Sequence, residues 1–342
     1  MILDNKIYEV GLVRYLLENG AEIAPLELTG VSGRDILASM NPSIFIDGDV
    51  AYANIRGVNY NLFSNGNLVD FSMENQPITY VSKDIYHLKT TNFMANIDLD
   101  SLELSGLSMV DTSLLDKEPL WDFVGLEDAR IVSWPYGGEK HMYLCGVRRD
   151  DDTTKTGIGR MNLSEIELID GRWVEVKRIK IPAAGDDKAY CEKNWIPIID
   201  KPFTWLKWAN PIEIARYDIE TNKLDVDFKR YYDESKMKPY RGDSHIVMHD
   251  GHYWCIMHDC DFRLLDKSTN ARCCTYGHYV IELDEDLNVA DVSGKWNYSN
   301  DFDIEFGCGL AIRDGYAYIS YAEDDSAAYI IKFKADLLFK PR

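Results

Sequence analysis

The chain has 342 residues, 57 of them acidic and 37 basic, for a formal net charge of −20. That surplus excludes a broad phosphate-gripping surface of the kind duplex nucleic acid needs, although it leaves room for a small basic pocket. With 46% hydrophobic and 12% aromatic residues, disorder is excluded too. The N-terminal stretch carries Asp4 and Glu9 among short apolar runs, which does not fit a secretory signal. No run reaches the 18 or more apolar residues of a membrane span. Seven cysteines, an odd number without CxxC pairs, predict reduced thiols and a cytoplasmic protein.

Residues 6–18 place Ile7, Val10, Leu12, Val13, Leu16 and Leu17 on one helical stripe, ended by Asn19-Gly20. This predicts a single amphipathic helix within an N-terminal segment, 1–38, packed on the rest. From residue 39 onward the pattern alternates, is rich in Tyr, Ile, Val and Trp, and is broken by Asp-Gly or Gly-Gly turns. A unit then recurs five times, at 41–60, 127–149, 192–210, 241–259 and 306–325. Each unit is a polar start, a short apolar strand, a turn and a second strand ending in polar groups. The turns fall at Asp47-Gly48, Gly137-Gly138, Asp200-Lys201, Asp250-Gly251 and Asp314-Gly315. Two strands per unit and two in each connection make four, the size of a propeller blade. The predicted fold is therefore all-β, a five-bladed β-propeller over 39–342. A β-sandwich also has Asp-Gly hairpins, but gives no reason for its hairpins to share polar starts. The acidic segment 63–122 reads as the outer part of the first blade plus a loop near the channel mouth, or as a subunit contact. A homo-oligomer is left open.

In a propeller the first strand of each blade lines the channel, so polar groups at those starts converge at one mouth. Candidates in chain order are Asn41, Arg56 and Asn59 in the first repeat; Glu127, Asp128, Arg130 and Arg148 in the second; and Glu192, Lys193 and Asn194 in the third. Arg241, Asp243, His245 and His258 follow in the fourth, and Asp325 in the fifth. Arg56, Arg148, Arg149, Lys193 and Arg241 all stand near strand ends, a concentration that matters in a chain short of cations. Glu127 is expected to orient Arg130 or a sugar hydroxyl. Four histidines, His245, His249, His252 and His258, crowd the fourth repeat, yet their spacing matches no zinc signature. We therefore expect no metal and no cofactor. Trp195, Trp205, Trp208 and Trp254 suit either sugar stacking or core packing. No glycine-rich loop opens a helix after a strand, which argues against a Rossmann-type nucleotide site.

The segments GLEDARI, EKNWIPI and NPSI resemble the signatures of glycoside-hydrolase family 130, which contains mannoside phosphorylases on a five-bladed propeller. The resemblance spans residues 41 to about 325. It implies that Asp128 is the proton donor to the glycosidic oxygen and that Arg148 and Lys193 hold phosphate. The chain departs from the family pattern at Ala129 and at the end of the fourth repeat, YWCIMHDCD. NPSI…IRGVNY and RGDSHIV also look like propeller segments attached to glycosyltransferases.

An inverting hydrolase needs a second carboxylate as base, roughly 6.5–9.5 Å from the acid. Related propeller hydrolases carry that base at the start of the first blade, where Asn41 here cannot take a proton. A phosphorylase or transferase needs cations for phosphate instead. The expected function is transfer of a glycosyl group, with inversion, between a phosphate-bearing donor and an acceptor. The expected partners are thus a carbohydrate and phosphate or a phosphorylated sugar. Two alternatives are a hydrolase using Asp128 with Glu192, and a non-catalytic carbohydrate-binding propeller.

Overall fold

The computed structural model describes every residue except 2, 30–35, 62–68, 72–79, 83, 85, 184–190, 210–211, 234, 236–239, 267–270, 302–303 and 342. Five antiparallel sheets form the blades of a propeller. From the channel outward, the first blade is Ala38–Asp47, Val50–Val58, Leu88–Ile97 and Leu104–Met109. The second is Glu127–Tyr136, Glu139–Arg148, Arg160–Ile169 and Arg172–Lys180. The third is Ile196–Pro197, Thr204–Ala209, Ile212–Asp218 and Lys223–Lys229. In the fourth, Arg241–Gly242 and Val247–His249 both pair with His252–Asp266, followed by Ala271–Leu283 and Val289–Val292. The fifth is Glu305–Arg313, Tyr316–Glu323, Ala327–Lys334 and, outermost, Glu22–Pro25.

Local sequence accounts for most of this. The turns Gly137-Gly138, Asp250-Gly251 and Asp314-Gly315 have positive φ at both residues, the geometry that closes a two-residue hairpin in register with strand twist. The third repeat differs: its first two strands are separated by residues 198–203, so Asp200-Lys201 sits inside a wider loop.

Apolar side chains gather between blades. Trp134, Tyr143, Trp195, Phe203 and Trp205 fill the space between the second and third. A Tyr- and Ile-rich cluster joins the third to the fourth, and Ile44, Ile55, Tyr318 and Ile330 join the fifth to the first. Trp195, Trp205 and Trp254 are thus core residues rather than sugar platforms, and the side chain of Trp208 lies outside the described residues.

The N-terminal segment differs from expectation in two ways. Its helix is two short helices, Asn5–Val10 and Leu12–Glu18, broken at Gly11 with φ +83°. The break arises because the amides of Leu12 and Val13 bond to the carbonyls of Asn297 and Tyr298 instead of continuing the helix. Ile7, Leu12, Tyr15 and Leu16 are buried in the cluster shared by the fourth and fifth blades. Secondly, Glu22–Pro25 pairs with Ala327–Lys334, so the start of the chain completes the last blade. Four residues carry too little pattern to announce that strand.

The 63–122 segment supplies the outer first blade, as expected, through Leu88–Ile97 and Leu104–Met109. Tyr60–Asn61, Val69–Phe71 and Tyr80–Ser82 form a separate three-stranded sheet. No helix among the described residues is long and apolar enough to cross a membrane. Cys145, Cys191, Cys255 and Cys308 are free thiols, but Cys260 is disulfide-bonded, against the expectation of reduced thiols throughout.

Candidate active site at the channel mouth

Three blades open on the same unusual backbone geometry. Asn41, Asp128 and Asn194, at the starts of the first, second and third blades, have φ of +44°, +51° and +59°. Left-handed backbone is uncommon outside glycine, and Asn and Asp tolerate it best. Strand bulges accompany the first two, between Met40 and Ser43 and between Glu127 and Arg130. Bulges of this kind re-aim a side chain next to a site.

The re-aimed groups meet. Asn41 Nδ2 donates to Asp128 Oδ1 at 2.7 Å, and Arg56 donates to the same oxygen at 2.5 Å. Arg56 also donates to the Tyr60 hydroxyl at 2.5 Å and to Thr90 Oγ1 at 3.1 Å, and lies 3.6 Å from Glu127. Burial pushes the Asp128 carboxyl up. Arg56, Lys193, the Asn41 hydrogen bond and Arg130 outweigh it and hold it below the usual carboxylate range. Asp325, reached by the Tyr80 hydroxyl at 3.4 Å, behaves oppositely. Burial, with repulsion from Asp128, pushes it to about 6 against the pull of Arg56 and Lys193. Two neighbouring carboxyls are therefore driven apart, a common basis for dividing acid and base roles. Tyr276 joins this group, since Asp325, Asp128 and Arg241 all act on its hydroxyl. The amide oxygens Oδ1 of Asn41 and Asn194 are buried and have no hydrogen-bond partner among the described residues.

Other candidates stand elsewhere. Arg130 is fully buried, donating to the carbonyls of Asp243 at 2.7 Å, Asp128 at 2.9 Å and Gly242 at 3.3 Å, so it ties the second blade to the fourth rather than meeting ligand. Glu127 does not orient Arg130. It pairs with Arg149 at 3.2 Å and with Arg56. Arg148 ends the second strand of its blade and Arg149 follows it, and the two side chains meet different groups. Arg149 feels Glu127 and Asp128, whereas Arg148 bonds Asp150 at 3.1 Å and lines a cavity between the first and second blades. Glu192 is buried, accepting from the Trp195 indole at 3.1 Å and lying 3.4 Å from Lys207. Asn59 staples the chain locally, donating to the His87 carbonyl and accepting from the Lys89 amide.

The histidines of the fourth repeat do not converge. His245 is buried between the Ile131 carbonyl and the Leu310 amide, and burial lowers it to about 3, so it is a neutral strut. His249 lies beside Asp250, and His252 beside Glu282. Asp243 is fully buried and bridges two rings, His258 Nδ1 at 2.5 Å and His278 Nδ1 at 2.8 Å. His258 packs against the Tyr276 ring, 4.9 Å between centroids.

Behind His278 lies Glu305, which accepts from the amides of Tyr298 and Ser299. Burial raises its carboxyl to about 7, opposed by His278 and those amides. A raised carboxyl keeps its stabilising balance at low pH and loses it as pH rises from the unfolded value toward about 7. Thermal unfolding from pH 4.5 to 8 should therefore show stability falling by about 1–3 kcal/mol more in the native chain than in Glu305→Gln.

Tyr60, Tyr80 and Tyr276 stand at the mouth without a signal in the sequence pattern. The first two follow or lie beyond the first apolar hairpin and the third lies beyond the fourth repeat, so no shared repeat position marks them.

The fold and this mouth define a five-bladed propeller with a cluster of carboxyls and cations at one end of its channel. The sequence matches no family model and no curated protein. Solved structures do match. A β-1,2-mannobiose phosphorylase from Listeria innocua superposes with a TM-score of 0.51 at 12% identity, over 91% of this chain and 94% of that one. A glycosyl hydrolase from Bacteroides ovatus gives 0.51 at 12% identity, over 90% and 86%. A member of the GH130 mannoside phosphorylase family, described with hydrolases that target β-1,2-mannosidic linkages in Candida mannan, gives 0.50 at 13%, over 89% and 86%. The chain shares their five-bladed propeller fold over nearly its whole length.

Proposed function

We propose that this protein is a carbohydrate-active enzyme that transfers a glycosyl group between a phosphate-bearing donor and an acceptor. Lys193 and Arg241 carry the proposal. Both are only partly buried, and neither forms an ion pair among the described residues. Both act electrostatically on the mouth, Lys193 on Asp128 and Asp325, Arg241 on Tyr276 and His258. Unpaired cations beside buried polar groups suit a phosphate, which accepts charge-assisted hydrogen bonds. The unpartnered amide oxygens of Asn41 and Asn194 suit the donor hydroxyls of a sugar.

In the synthetic direction the acceptor hydroxyl oxygen bonds to the anomeric carbon as the bond from that carbon to the phosphate oxygen breaks. The hydroxyl proton passes to Asp128, whose lowered pKa keeps it ionised, and the phosphate leaves toward Lys193 and Arg241. Phosphorolysis is the reverse: phosphate oxygen bonds to the anomeric carbon as the glycosidic bond breaks, and the fraction of Asp128 that is protonated returns the proton to the leaving oxygen, so this direction is favoured by lower pH. The neighbours above that act on mannosides favour a mannoside among sugars.

Hydrolysis through Asp128 and Glu192 loses support, because Glu192 is engaged by Trp195 and Lys207. The test is incubation with mannobiose and other disaccharides, with and without inorganic phosphate. Sugar 1-phosphate formed only with phosphate is the expected product. Free sugar released equally without phosphate would point to hydrolysis, and binding without turnover to a recognition module.

A further inference from the structure

We infer that the cavity between the first and second blades is a second ligand site, built for a neutral, hydroxyl-rich molecule such as a sugar unit. It holds about 890 Å³, within the range of small-molecule sites. Its walls are the third strand of the first blade, the segment around Val110–Lys117 and one face of the second blade. Pairing of Arg148 with Arg160 and Gly146 with Asn162 puts Arg148, Asn162 and Ser164 on that same face.

Two groups there point to the ligand. Asn162 is fully buried and Arg148 is 5% exposed, and both line the cavity. Asn162 donates to the Arg160 carbonyl, but among the described residues its Oδ1 has no hydrogen-bond partner, and neither has Arg148 Nε. One is an acceptor and the other a donor. A ligand rich in hydroxyls can donate to the one and accept from the other, whereas an ionised phosphate oxygen can only accept, from the arginine. Leaving either group unmet in a buried place is costly.

Charge favours the same class. Six cations line the cavity. Four are ion-paired: Arg148 with Asp150, Arg178 with Glu175 and Asp116, Lys180 with Asp151, and Lys89 with Asp84. Lys117 and Lys177 form no ion pair among the described residues, but with those five carboxylates and the lining Glu118 the charges balance. No strong field is left for an anion. Val110, Leu114 and Leu115 offer an apolar wall to sugar C–H groups. Thr90 lines the cavity and also accepts from Arg56, which pairs with Asp128. An occupant would thus lie one residue from the mouth, as an anchoring subsite for a longer glycan does.

The test follows methyl resonances of Val110, Leu114 and Leu115 in the full-length protein on titration with mannobiose, cellobiose and maltose. At least one should shift them saturably, and equally in Asp128→Asn, which alters only the mouth. Asn162→Ala should weaken that binding about 5- to 100-fold. Leu114→Arg, at a side chain 72% exposed, should block it without threatening the fold. Absence of shifts with all three sugars, or the same shifts with inorganic phosphate alone, would overturn the inference. Neither outcome depends on phosphate-dependent turnover, so failure here and failure at the mouth are separable.

Discussion

Asp128→Asn should cut turnover by about 10²–10⁴-fold while leaving the fold in place, since proton transfer by a positioned side chain contributes that much. Asparagine is the informative replacement because φ at this position is +51°, which Asn accepts and Ala does not without strain. The amide keeps an oxygen for Arg56 and Asn41 but cannot carry the proton. A kcat measured beside calorimetric unfolding separates the two effects. Turnover within a few-fold of the native value would remove Asp128 from the chemistry. A large loss of Tm would mean that its ion pair with Arg56, 2.5 Å long and buried, is chiefly structural.

How much of this can be read from the chain depends on what encodes it. The blades are legible because their turns are local: Asp-Gly and Gly-Gly at fixed spacing, flanked by alternating residues, specify hairpins without long-range help. The meeting of Asn41 with Asp128 is legible for the same reason, since a polar residue at a repeated strand start has one destination. Orientation at strand ends is not. Arg148 and Arg149 differ by one position at the point where the strand ends, yet one meets Asp150 and the other Glu127, and the repeat pattern marks neither. Arg130 and His245 fit the repeat pattern but are drawn inward to satisfy carbonyls and an amide of neighbouring blades. Glu22–Pro25 is hidden because its pairing partner, Ala327–Lys334, lies some three hundred residues away. Tyr80 and Tyr276 are hidden because they come from outside the repeat units, and Tyr60 because it closes the first unit at a place the other units leave without a tyrosine.

The second large effect concerns phosphate. Replacing Lys193 and Arg241 each by Ala should raise the KM for phosphate by roughly 10- to 100-fold, the worth of one charge-assisted hydrogen bond. The double variant should approach the product of the two, unless both act on one oxygen. The two positions differ in kind. Arg241 stands at the start of the fourth blade, paired in register with His258; its planar guanidinium can present two parallel donors to a phosphate where an ammonium presents a point charge, so Arg241→Lys should recover only part of the loss. Lys193 sits beside Asn194, in the turn of chain that enters the third blade, and acts also on Asp128. Its removal should therefore raise the Asp128 pKa, moving the acid limb of the synthetic rate toward neutrality, whereas removal of Arg241 should leave that limb in place. A pH–rate profile for each single variant, alongside phosphate saturation curves, distinguishes a shared phosphate clamp from two unrelated surface charges. Unchanged phosphate KM in both would leave the mouth without its phosphate site and favour a sugar-binding role for the propeller.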